Sequence, residues 1–137
     1  MQPYQFLPHT ADVRIEANGK NLEEAFTNCA YAVTDVMVDH TKVKARVEKE
    51  IIVTSENQES LMYDFLKQFL ILLDSEGFLL SEVKGLTIKN NHLTAQIVGD
   101  NNPEKYEHKT HVKAITYQEM KIEESKKGFL IHFIVDI

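Results

Sequence analysis

Residues 60–77 read SLMYDFLKQFLILLDSEG. Leu61, Met62, Phe65, Leu66, Phe69, Leu70, Leu72 and Leu73 recur there at three- and four-residue spacing, so a helix gathers them on one broad face. A stripe that wide has to be covered nearly all round, and we expect this helix to be nearly buried. Lys67 and Gln68 interrupt the run, and it is too short to span a bilayer, so the cover must come from the rest of the chain. Ser55 and Gln58 in SENQ read as a capping box. Gly77 reads as the C-cap, giving a helix over about 58–75.

The remaining sequence supplies sheet. DVRIEAN alternates, with Val13, Ile15 and Ala17 on one face and Arg14, Glu16 and Asn18 on the other. VKARVEKEIIVTS alternates through Val43, Ala45, Val47, Ile51 and Val53 as one long strand or two short ones. FLLSEVKGLTIKN, HLTAQIVGD, HVKAITYQEMKIEES and GFLIHFIVDI read as four more strands, with NN, GDNNPEK and SKKG as the turns between them. A second helix signal, Leu22, Ala25, Phe26, Cys29, Ala30, Val33 and Met37, begins after Asn21 and covers roughly 22–38. Glu24 stands three residues beyond Asn21, as a capping box requires.

The order is strand, helix, strand, helix, four strands. It predicts an α+β two-layer domain, with two helices packed on a mostly antiparallel multi-stranded sheet. It also suggests a strand–helix–strand–strand unit used twice, the second inserted in the first. A length of 137 residues suits one domain over 1–137, large enough to bury its own core.

The formal net charge is −6, which argues against a free-standing phosphate binder. The one cysteine, Cys29, sits in the apolar pattern AFTNCAYAV and reads as a small buried hydrophobe. A lone cysteine forms no disulfide within the chain, which fits a cytoplasmic setting. The N-terminal MQPYQFLPHTADV lacks the basic and apolar regions of a signal peptide.

Three clusters carry candidate chemistry. In PHTADV, Asp12 is expected at the mouth of the first strand, where Thr10 could hydrogen-bond locally and His9 could reach outward, or Asp12 simply organises the turn. At the other end, Asp136 alternates with Ile134, His132 and Leu130, and the carboxylate of Ile137 adds a second negative charge beside it. Such charges are costly to desolvate unless paired, and a cation between them removes the cost. Asp12, Asp136 and the Ile137 carboxylate would form a hard oxygen set suited to Ca²⁺ or Mg²⁺ rather than Zn²⁺. The bland alternative is a solvated chain end. In HVKAITYQ, Lys113 shares a face with His111, Ile115 and Tyr117 by strict alternation, either snorkelling to the sheet edge or pairing with an acid. His108 and His111, three apart, fall on opposite faces of a strand and form no metal site. No nucleophile with its base is evident.

Taken together and in order, HTADV at 9–13, GKNLEEAF at 19–26, MVDHTKV at 37–43, SLMYDFLKQFLILLDSEG at 60–77, VKAITY at 112–117 and IVDI at 134–137 resemble the archease family. The resemblance runs over essentially the whole chain. It implies a small α/β protein that activates an RtcB-type RNA ligase in tRNA splicing and RNA repair. Such a protein promotes guanylylation of the ligase and multiple turnover without catalysing ligation. It also implies a divalent cation, Ca²⁺ first with Mg²⁺ or Mn²⁺ as alternatives, held by Asp12, Asp136 and Ile137. Lys113 matches a functionally implicated lysine and Asp39 a further acid. Gln118 stands where many members have histidine.

Two other function classes stand against that expectation. One is a small divalent-metal-dependent hydrolase using Asp12 and Asp136, although two-metal phosphoryl chemistry needs more converging carboxylates. The other is an RNA chaperone, which needs a basic or aromatic face; VKARVEKE and SKKG are too mixed in sign to supply one.

Overall fold

The computed structural model describes residues 3–7 and 12–137. Seven strands and two helices follow one another as β1 (Tyr4–Leu7), β2 (Asp12–Gly19), α1 (Leu22–Met37), β3 (Val47–Thr54), α2 (Gln58–Glu76), β4 (Leu79–Lys89), β5 (His92–Asp100), β6 (Ala114–Ser125) and β7 (Gly128–Asp136). The strands divide between two sheets, ordered β1-β2-β7-β6 and β3-β5-β4, and every described pair is antiparallel.

The repeated unit read from the sequence is present as an architecture. β2–α1–β6–β7 and β3–α2–β4–β5 each place their last strand between the other two. The second unit is inserted between α1 and β6 of the first, and β1 adds an edge strand to the first alone. Each helix is shared: α1 lies on β2 and reaches β4 of the other sheet, while α2 lies against β3 and reaches β6. One hydrophobic core therefore runs through both units, with Ile15, Phe26, Phe65, Phe78, Leu93, Ile97 and Phe133 all fully buried.

Local chemistry sets the helix ends. The Asn21 side chain accepts from the Glu24 N–H at 2.8 Å and opens α1; the Glu24 carboxylate reaches back to the Lys20 N–H at 3.2 Å. In α2 the capping box is two residues later than SENQ suggests. Asn57 is the N-cap, accepting from the Ser60 N–H at 2.8 Å, while Ser60 Oγ accepts from the Asn57 N–H at 3.3 Å. Ser55 is drawn elsewhere, its hydroxyl donating to Asp64 at 2.6 Å and its N–H to the Asn91 carbonyl at 3.0 Å. Gly77 ends α2 at φ 68, as a left-handed C-cap does.

Burial of α2 is graded. Leu61, Met62, Phe65, Leu66 and Phe69 are buried, but Leu70, Leu72 and Leu73 are half-buried and Ile71 is exposed, so the wide stripe is covered fully only over its first three turns.

Three strand expectations shift. β3 begins at Val47: Val43 is buried, but in the segment following a short 3-10 turn at His40–Lys42, and Ala45 is exposed. β6 begins at Ala114, so His108 and His111 lie in an irregular segment and not on opposite faces of a strand. Lys113 accordingly sits outside the alternating row; Val112 and Ile115 are buried, while Lys113 and Tyr117 are exposed.

No helix among the described residues is long and apolar enough to cross a membrane.

Candidate metal centre

Asp12 opens β2 and Asp136 closes β7. The antiparallel register sets them directly opposite each other, followed by Val13 with Val135, Arg14 with Ile134 and Ile15 with Phe133. Val13, Ile15, Val135 and Phe133 face the core beneath α1, so by alternation Asp12 and Asp136 share the opposite face. Directly opposed side chains on one face have Cβ atoms roughly 5 Å apart, and like charges there repel. Asp12 is half-buried and Asp136 exposed.

β6 completes this end of the sheet. Ala114 pairs with Asp136, and the Lys113 N–H donates to the Asp136 carbonyl at 2.8 Å. Lys113 is thus tied by its main chain to the residue that carries the acid, with its exposed side chain beside the end of β7. Ile137 follows Asp136 and is 36% exposed. The fold therefore brings Asp12, Lys113, Asp136 and Ile137 together at the ends of three strands, with β2 remote in sequence from the β6–β7 hairpin. His9 and Thr10, read above as neighbours of Asp12, lie outside the described residues.

Among the described residues no three His, Cys, Asp or Glu side chains converge to hold a metal. Two carboxylates alone make a sparse set, so a cation here needs further oxygens from main chain, water or the Ile137 carboxylate. All of these are hard donors, and they fit Ca²⁺, Mg²⁺ or Mn²⁺ better than Zn²⁺ or copper.

Asp39 is placed differently from this pair. It caps the 3-10 turn, accepting from the Thr41 N–H at 3.0 Å and the Thr41 hydroxyl at 2.6 Å. Those hydrogen bonds hold its carboxyl below the usual carboxylate range. It also lines a cleft of about 250 Å³ with Lys42, Tyr106, Glu107 and Lys109. Its hydrogen bonds go to Thr41, and the structure puts it near the far end of α1 rather than between Asp12 and Asp136.

A polar network beside Asp39 was not legible in the sequence. Asp35, near the end of α1, accepts from the Tyr4 hydroxyl, from the His40 N–H at 2.9 Å and from His40 Nδ1, which lies at 2.7 Å. The His40 ring stacks on Tyr31, centroids 4.5 Å apart. The Lys109 N–H donates to the Met37 carbonyl at 2.7 Å and its Nζ to the Asp35 carbonyl at 2.9 Å. A continuous segment, 109–113, therefore straps the C-terminus of α1 to the end of β7. The only signal was Asp35 interrupting the apolar pattern of VTDVMV; its partners come from β1 and from beyond the helix.

Burial alone would raise the Asp35 pKa, but the hydrogen bonds from His40 and Tyr4 outweigh it and hold the carboxyl below its ordinary value of 3.8. A depressed folded-state pKa adds stability that is present above 3.8 and lost as pH falls through the lower folded value. Asp35→Asn is therefore expected to cost about 2 kcal/mol at pH 7 by losing charge-assisted bonds. The variant should also lose less stability than the parent between neutral pH and the region below 3.8. Urea unfolding across that range measures both; an equal acid loss in the two proteins would mean that Asp35 is not a source of it.

The Archease protein family (MTH1598/TM1083) matches residues 4–137. Protein archease of Sulfurisphaera tokodaii is 40% identical, and that of Pyrococcus abyssi 41%, each alignment covering 100% of both chains. The solution structure of Methanobacterium thermoautotrophicum protein 1598 superposes with a TM-score of 0.83 at 33% identity, covering 100% of both chains. The crystal structure of a Thermotoga maritima archease, described as a possible chaperone, shares the fold with a TM-score of 0.63 at 21% identity, over 96% of this chain and 94% of that one. With a family match across nearly every residue, and full-length relatives at this level of identity, the chain belongs to the archease family.

Proposed function

We propose that the chain is a cation-binding accessory protein of the cytoplasm that activates an RtcB-type RNA ligase by direct contact. In this reading it promotes guanylylation and repeated turnover of the ligase in tRNA splicing and RNA repair, and it catalyses no ligation itself. The observation that carries the reading is the opposed Asp12–Asp136 pair at one sheet end, with Lys113 tied to the same residue. Family membership and the description of the Thermotoga protein as a possible chaperone agree with a role exercised on another protein.

Asp12 and Asp136 hold the cation with the Ile137 carboxylate, Ca²⁺ being the first choice. When bound, the ion would supply positive charge that offsets the opposed acids. Lys113 stands beside the pair and presents a cation to the partner or to its phosphate-bearing substrate. Asp39 contributes indirectly, by fixing the turn after α1.

The test is a multiple-turnover RNA ligation assay with the cognate ligase, GTP and divalent metal. The ligase should complete several rounds per molecule with the protein present, few without it, and the protein alone should ligate nothing. Lys113→Ala should lower the stimulation about tenfold, a loss of roughly 1.4 kcal/mol, while calcium affinity stays near that of the parent. Failure to stimulate an active ligase refutes the accessory role. Turnover by the protein alone would restore the hydrolase reading.

A further inference from the structure

β6 leaves its ladder at Tyr117. Thr116 pairs with Ile134 and Lys121 with His132, so five steps along β6 oppose two along β7 and three residues are extra. Glu119, inside this bulge, takes φ 55, a left-handed conformation that side chains other than glycine adopt against steric resistance. Bulges re-aim side chains, and they recur next to functional sites.

Here the product is a half-open aromatic stack. One face of Tyr117 lies on Tyr63 of α2, with centroids 4.4 Å apart and planes 10° from parallel, yet Tyr117 remains 53% exposed. Lys67, one turn along α2, places its ammonium 5.9 Å from the Tyr63 centroid. Asp64 is close enough that its charge adds to burial in holding the Tyr117 hydroxyl above the usual tyrosine value. Glu119 stands in the bulge itself, with Arg14 3.7 Å away. A strained bulge that leaves a large ring half in water does little for the core.

We infer that the exposed face of Tyr117 is a docking point for an arginine of the partner protein, its guanidinium stacked on the ring and its charge met by Asp64. The partner's identity rests on the accessory role proposed above; the chemistry of the site does not. A guanidinium is planar, stacks on aromatic rings and is weakly hydrated, which an ammonium is not. A nucleobase also stacks, but it brings phosphate, which Asp64 and the net charge of −6 repel. Tyrosine and arginine are the residues that concentrate binding energy at protein interfaces. Ala114, three residues before Tyr117, is paired with Asp136, so the ring is roughly 10 Å along β6 from the end that carries the acidic pair.

The test has two arms. In the first, ring resonances of Tyr117 are followed by NMR during titration with N-acetylarginine amide, N-acetyllysine amide and AMP. The arginine compound should shift them most, the lysine compound less and AMP least. A larger response to AMP, or none to arginine, overturns the inference. In the second, affinity for the cognate ligase is compared. Tyr117→Ala should weaken it about tenfold or more, Tyr117→Phe should keep it near the parent value, and both should bind calcium as the parent does. Unchanged ligase affinity in Tyr117→Ala overturns the inference. If the unaltered protein binds no ligase, the accessory role fails, while the arginine titration still decides the site.

Discussion

Asp136→Ala is expected to give no heat of calcium binding in isothermal titration where the parent should give a one-site isotherm, and to lose stimulation of the ligase. The reason lies in the register. Asp12 and Asp136 face each other across β2 and β7, and each could offer an ion only one carboxylate, monodentate or bidentate. Calcium binds with six to eight oxygens, and its affinity follows the number of charged ones. Removing one of two opposed side-chain acids therefore removes much of the charge that draws the ion in. The fold should survive, because Asp136 is exposed and relief of repulsion with Asp12 offsets any lost local contact. Asp12→Ala should behave alike, and Asp136→Asn, which keeps the shape and one neutral oxygen, should bind far more weakly than the parent. Retained affinity in both alanine variants would remove the pair from the site altogether.

The second large effect is on stability. Phe65→Ala is expected to cost about 4 kcal/mol and to lower Tm by roughly 15 °C. Phe65 is fully buried in α2, stacked at 6.0 Å on Phe26 of α1 and edge-on at 5.2 Å to Phe69. Its removal opens a cavity where the helices of the two units meet, so both units lose a wall at once. Rigid packing on both sides limits collapse around the gap, which places the cost at the upper part of the range for such truncations. Chemical denaturation with a single transition for both sheets is the expected form. Separate transitions, or a loss below about 1.5 kcal/mol, would show that the shared core does not couple the units.

Much of the architecture was legible in the sequence because the signals are local. The helix period between Leu22 and Met37 and between Leu61 and Leu73 depends only on side chains a turn apart, and both helices fall within a residue of the expected ends. The Asn90–Asn91 turn, both residues at positive φ, closes the β4–β5 hairpin as NN suggested. Where the expectation slipped, a tertiary partner had outbid a local one. Ser55 was read as a cap, but Asp64 and Asn91 claim it, and Asn57 takes the role. β1 leaves no sequence signal because four residues carry too little periodicity; it exists because β2 offers an edge to pair with. Lys113 leaves the face of Ile115 because β6 begins only at Ala114, and the three extra residues after Thr116 turn Tyr117 away from it.

The sequence by itself determined the helices, the strand count from β2 onward, the doubled order of elements and the family motifs that mark Asp12, Lys113 and Asp136. Only the tertiary structure decided that the strands split into two sheets, and that two acids separated by nearly the whole chain face each other. It alone also showed that Asp39 caps a turn and that Asp35 gathers Tyr4 and His40. The physical reason is the reach of each interaction. Periodicity and capping act within a few residues and are written in the order of side chains, whereas strand register and convergence of charges depend on which distant surfaces bury each other best.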